Sequence, residues 1–150
     1  MKFLKRLSKV LLGWFQAQTE PVNGTKLKDP LARYLMHKRF FSREKGIVKG
    51  AAFMPSSKLQ TSVFEVGGMA ESDIWTSADE TLRLEPGEKI YGRGDFSSHV
   101  VVELGLEVEA DFPPARHHNL VGWPVEKPKQ KLIALKLAEK AKFIPRHDVS

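Results

Sequence analysis

Arg116, His117, His118 and Asn119 are consecutive in the chain, and their side chains could do chemistry. Histidine exchanges protons near neutral pH, and arginine holds a phosphate through two hydrogen bonds. Together they would suit phosphodiester cleavage without a metal, or phosphate binding. Two adjacent histidines in extended chain point apart, so a simple metal pair is not expected. The competing reading is a structural loop whose histidines bond to backbone.

A second candidate is basic. His37, Lys38 and Arg39 are followed by Arg43, Lys45 and Lys49, with Phe40 and Phe41 inside the run. Arg39, Arg43, Lys45 and Lys49 could hold phosphates, and rings among basic residues can stack on single-stranded bases. Alternatively the two phenylalanines are core and the charges form a solvated rim. Gly92-Arg93-Gly94-Asp95 reads as a glycine-rich turn, with no P-loop or dinucleotide fingerprint around it. The acidic residues Asp73, Asp79, Glu80 and Glu85 match no EF-hand spacing. Ser56, Ser57 and Ser62 lack a nucleophile-elbow context. No metal site and no cofactor is expected.

These residues sit in a chain of 150, the size of one domain. Hydrophobic residues make up 41% and charged residues 28%, which excludes wholesale disorder and a multi-span membrane protein. Cysteine is absent, so disulfides, thiolate nucleophiles and cysteine-ligated metals are excluded. The net charge is +6 but is laid out in blocks. Residues 1–50 carry 12 Lys+Arg against 3 Asp+Glu, residues 51–110 carry 4 against 11, and residues 111–150 carry 8 against 4. Either the basic ends pack beside the acidic middle and neutralise it, or they join into one patch facing an anion.

Helical periodicity is clearest over residues 2–17. Phe3, Leu4, Leu7, Val10, Leu11, Trp14 and Phe15 fall on one arc, with Lys2, Lys5, Arg6 and Lys9 opposite. Residues 1–20 thus read as a basic amphipathic helix, and residues 21–29 as a linker. Lys9 interrupts the apolar run, which argues against a secretory signal; a mitochondrial presequence shares the basic amphipathic pattern. The stretch is too short and too charged to span a bilayer.

Residues 30–150 read as one α+β domain. Pro30 should open a short helix through Leu31, Tyr34 and Leu35, with Asp29 as its N-cap. Ile47–Met54 and Thr61–Val66 should be strands, Ala70–Ser77 a short helix, and Thr81–Leu84 a short strand. His99–Ala110 alternates by two, placing Val100, Val102, Leu104, Leu106 and Val108 on a buried face. Asp111–Trp123 reads as a loop. A final helix runs from Pro128 to about Phe143, with Trp123 packed on it. The expected architecture is a single domain, a central, mostly antiparallel sheet with helices at both chain ends.

Two function classes follow. The first is a non-catalytic binding or adaptor protein. It attaches through Phe3, Leu7, Leu11 and Trp14, with Lys5, Arg6 and Lys9, to a partner protein or an anionic membrane surface. The second is a small basic phosphate-directed protein, a nucleic-acid binder or metal-independent nuclease using the Arg116-His117-His118 loop. Whether any catalysis occurs stays open. The expected location is cytoplasmic, peripheral on a membrane if the helix targets lipid.

Overall fold

Leu31–Leu35 (β1) is buried on both sides and stands inside the main sheet. The computed structural model describes residues 27–147. The other strands are β2 (Phe41–Ser42), β3 (Ile47–Val48), β4 (Thr61–Glu65), β5 (Gly92–Phe96), β6 (Glu107–Ala110), β7 (His117–Val121) and β8 (Lys142–Pro145). The helices are α1 (Glu71–Thr81), α2 (Ser98–Glu103) and α3 (Lys127–Lys140), and short 3-10 turns occupy Lys38–Phe40 and Gly50–Phe53. Six strands make one sheet in the order β6-β7-β4-β1-β5-β8, with every neighbour antiparallel. β2 and β3 pair separately as a hairpin. The class is α+β, as the sequence indicates.

Strand alternation sends side chains to two cores. On one face Leu31, Leu35, Val63, Phe96 and Leu120 pack with Phe53, Val101, Ala134 and Leu137. That face is covered by α2, α3 and the turn at Gly50–Phe53. On the other, Ala32, Tyr34 and Phe64 pack with Ile74 and Ala78 of α1. A strand covered on both sides carries apolar residues at successive positions, so β1 lacks the polar–apolar alternation of a half-exposed strand.

Several local expectations are corrected. Residues 31–35 are strand, not helix. Asp29 caps a different helix: its Oδ1 accepts the Ser98 N–H at 2.9 Å, at the start of α2. Residues 98–110 are a helix, a turn at Gly105 (φ +84°) and a strand, not one strand. Ser97 Oγ accepts the His99 N–H and Asp29 meets Ser98, so helix nucleation is supplied from outside the valine run. Val101 is therefore buried and Val102 is 66% exposed, the reverse of the expected pattern. Leu106 is buried, while Leu104 is only partly so. Gly92–Phe96 is a strand and not a turn. Its glycines admit close neighbours: a side-chain carbon on Gly92 would lie 2.6 Å from the Ile144 carbonyl oxygen.

The Ile47–Met54 strand is only Ile47–Val48, followed by the 3-10 turn. Thr81–Leu84 forms no strand, because α1 extends to Thr81. His117–Val121 is strand β7 within the expected loop. Thr61–Glu65, the helix around Ile74 and Trp75, and the final helix lie where the sequence places them. The last helix ends at Lys140, and Phe143 belongs to edge strand β8, so the described chain does not end in a helix. The basic segment 2–17 and most of the linker lie outside the described residues.

Candidate functional site

β4 and β7 are adjacent, with Ser62 opposite Asn119 and Phe64 opposite His117. All four side chains point to the α1 side of the sheet. Ser62 Oγ lies 2.7 Å from His117 Nε2. The other ring nitrogen, Nδ1, lies 2.9 Å from the carbonyl oxygen of Asp111 and 3.5 Å from its Oδ2. A backbone carbonyl can only accept a hydrogen bond, so Nδ1 carries the proton. In the neutral ring Nε2 is then the lone-pair nitrogen, and the Ser62 hydroxyl must donate to it. Asn119 Nδ2 donates to Asp111 Oδ2 at 2.9 Å, and the Asp111 N–H donates to the His117 carbonyl at 3.0 Å. The Phe64 ring, 5.1 Å from the imidazole centre, packs on the histidine. Ser62 and His117 are both partly exposed.

The other residues of the Arg116-His117-His118 trio go elsewhere. His118 points to the opposite face, is buried, and donates through Nδ1 to the Arg116 carbonyl at 3.0 Å. Burial pushes its imidazole below the ordinary histidine range. Arg116 has φ +70° and sends Nη1 to the Glu65 carbonyl at 3.3 Å. The two histidines therefore do not form one acid–base pair. Ser62 and Asp111 were not legible as partners. Alternation places Ser62 and Phe64 on one face, but nothing in the sequence pairs them with a strand 55 residues away.

Farther along the same sheet face is a charged group. Arg93 Nη1 and Nη2 donate to the two Glu71 oxygens at 2.9 and 3.0 Å, and Nε donates to Asp95 Oδ1 at 2.9 Å. The Trp75 ring centre lies 4.8 Å from the Arg93 guanidinium and 5.3 Å from that of Arg146. Hydrogen bonding to Arg93 holds the Glu71 carboxyl below its ordinary range, while burial pushes Asp95 upward.

Phe40 and Phe41 are core, not stacking platforms. Phe41 stacks on Phe143 of β8 with ring centres 5.4 Å apart. That contact sets the β2–β3 hairpin beside the C-terminal segment. A side-chain carbon on Gly50 would lie 3.3 Å from Leu135 Cα. Arg39, Arg43, Lys45 and Lys49 are all exposed on or beside this hairpin. So are Lys127, Lys129, Lys131, Lys136, Lys140 and Lys142 on the segment it touches. Phe3, Leu7, Leu11, Trp14, Lys5, Arg6 and Lys9 lie outside the described residues. Among the described residues no group of three or more His, Asp and Glu could hold a metal ion, and no helix is long and apolar enough to cross a membrane. Comparison with protein-family models, curated proteins and solved structures finds no match to this chain.

Proposed function

We propose that the protein is a binding protein that attaches to an anionic membrane surface. The observation that carries this reading is the packing of the β2–β3 hairpin against α3 and β8. It joins two basic segments that are about 80 residues apart in sequence. Exposed Ile47, Leu132 and Leu135 accompany the lysines. On α3, Lys131 and Leu135 are i,i+4 neighbours, as are Leu132 and Lys136, so charge and aliphatic surface are interleaved. Lysines beside exposed aliphatic side chains suit an anionic bilayer: the charges meet headgroups and the apolar groups enter the interface. The amphipathic periodicity of residues 2–17 supports the same target.

The test is co-sedimentation of the full chain with phosphatidylcholine vesicles, with and without phosphatidylserine. Binding should require the anionic lipid. Each basic residue at such a surface is worth about 1 kcal/mol. Reversing Lys45, Lys49, Lys131 and Lys136 to Glu should therefore weaken binding by about 10³-fold or more in a protein that stays folded. Reversing Lys2, Lys5, Arg6 and Lys9 should also weaken it. No affinity for anionic vesicles overturns the reading. Tight binding to single-stranded RNA, falling steeply with salt, would replace it with the nucleic-acid alternative.

A further inference from the structure

We propose that Ser62 is an activated nucleophile, with His117 as its general base, able to take the acyl group of a small ester. The geometry has the hydroxyl, base and orienting group by which a hydroxyl nucleophile is activated. The hydroxyl and the base are 2.7 Å apart, and the base is oriented by a third group. The Asp111 carbonyl fixes the tautomer that leaves Nε2 free to receive a proton. Asp111 is thus a positioning residue acting through its backbone, while Asn119 holds its carboxylate. Phe64 limits rotation of the imidazole from the side. Beneath, Arg33 Nη1 donates to the Ser62 carbonyl at 2.8 Å and Nε to the Ala52 carbonyl at 2.7 Å, so the strand carrying the hydroxyl is anchored.

The reaction proceeds in two halves. Ser62 Oγ forms a bond to the ester carbonyl carbon while its proton passes to His117 Nε2. The carbon–oxygen bond of the ester breaks, and the leaving alkoxide takes the proton from Nε2 and departs as the alcohol. Water then loses a proton to Nε2 and attacks the acyl carbon. The bond to Oγ breaks, the proton returns to Oγ, and the acid leaves. Ester and water give acid and alcohol, with no change in oxidation state.

The experiment treats the full chain with diisopropyl fluorophosphate and with p-nitrophenyl acetate, followed by intact mass and peptide mapping. The expected result is a single stable phosphoryl adduct on Ser62 with the fluorophosphate, and release of p-nitrophenol from the acetate that the same adduct abolishes. Labelling should be absent in Ser62→Ala and about 10²–10⁴-fold slower in His117→Gln. His118→Gln, on the opposite face, should label as the parent does. Nitrogen-15 NMR of His117 should show the proton on Nδ1. Thermal melts establish that each variant is folded. No adduct, an adduct at another residue, or equal labelling of His117→Gln overturns the proposal. A hydrogen bond that only pins β4 to β7 predicts a lower melting temperature in His117→Gln and no labelling of the parent. Vesicle binding is indifferent to these substitutions, so failure here leaves the membrane reading standing.

Discussion

The Arg93 guanidinium meets both oxygens of the Glu71 carboxylate through two hydrogen bonds of 2.9 and 3.0 Å, linking β5 to the first turn of α1. The partners are unequally placed. The Arg93 side chain is 5% exposed and that of Glu71 is 59% exposed. Water can therefore replace Arg93 around Glu71, but not Glu71 and Asp95 around Arg93.

This asymmetry predicts unequal mutational costs. Arg93→Met strands the half-buried Asp95 carboxylate and should cost about 3–5 kcal/mol. Glu71→Gln keeps part of the hydrogen bonding at an exposed position and should cost less than about 1 kcal/mol. Urea unfolding of the two variants checks the order. Equal losses would show that the bidentate pair itself, and not burial of Asp95, carries the energy.

The buried imidazole of His118 predicts a pH dependence. Its folded-state pKa is depressed by desolvation. As pH falls below about 6.5, the unfolded chain gains a proton that the folded chain does not. Stability should therefore be complete above that value and decline as the solution is acidified. Replacing His118 with Gln should flatten this part of the profile. A separate loss should begin below about 4.5, the ordinary range of carboxylates. There Glu71 and Asp79, held low by hydrogen bonds from Arg93 and Arg146, take up protons and release their partners. Melting temperatures between pH 3 and 8 separate the two effects.

Helical geometry at residues 98–103 predicts opposite results for two neighbouring valines. Val101→Ala removes a fully buried side chain and should cost about 2 kcal/mol. Val102→Ala changes an exposed one and should stay within about 0.5 kcal/mol. A strand with Val102 inside would give the reverse order.

Gly67 predicts a cost from close approach. A side-chain carbon there would collide with the carbonyl oxygens of Lys28 and Asp29. Gly67→Ala must push that backbone away and, with it, the Asp29 carboxylate that meets Ser98. The expected loss is about 1–3 kcal/mol. Hydrogen exchange at the Ser98 amide should rise more than at the centre of α3. Unchanged protection at Ser98 would show that the segment shifts as a rigid piece.

What could be read in the sequence depends on how each element is covered. Lys127–Lys140 buries Ala134, Leu137 and Ala138 at helical spacing, so periodicity finds it, and Thr61–Glu65 is found by its β-branched and aromatic residues between Pro55-Ser56-Ser57 and Gly67-Gly68. β1 hides because Leu31, Ala32, Tyr34 and Leu35 are buried on alternate faces, which reads as a short helix as readily as a strand. Gly92 and Gly94 read as turn residues, although they are required where β8 and Val48 come close. The valines at 100–102 favour a strand by type, yet Asp29 and Ser97 start a helix there. At the candidate site, His117 was legible by residue type. Its partners were not, because Ser62 meets it only through sheet pairing and Asp111 through a backbone oxygen.

The strand order also has a consequence for how the chain is made. β1 is the first strand among the described residues, but both its neighbours come later in the chain: Leu31 pairs with Glu65 and with Phe96. Closing such distant pairs is slow compared with forming a helix bundle, because loop entropy is lost before the contacts repay it. The two halves of the basic face are farther apart still, one before residue 50 and the other after residue 126. A growing chain on the ribosome displays the first half alone, and the Phe41–Phe143 stack that aligns them must wait for β8. The combined surface therefore does not exist until β8 has left the exit tunnel.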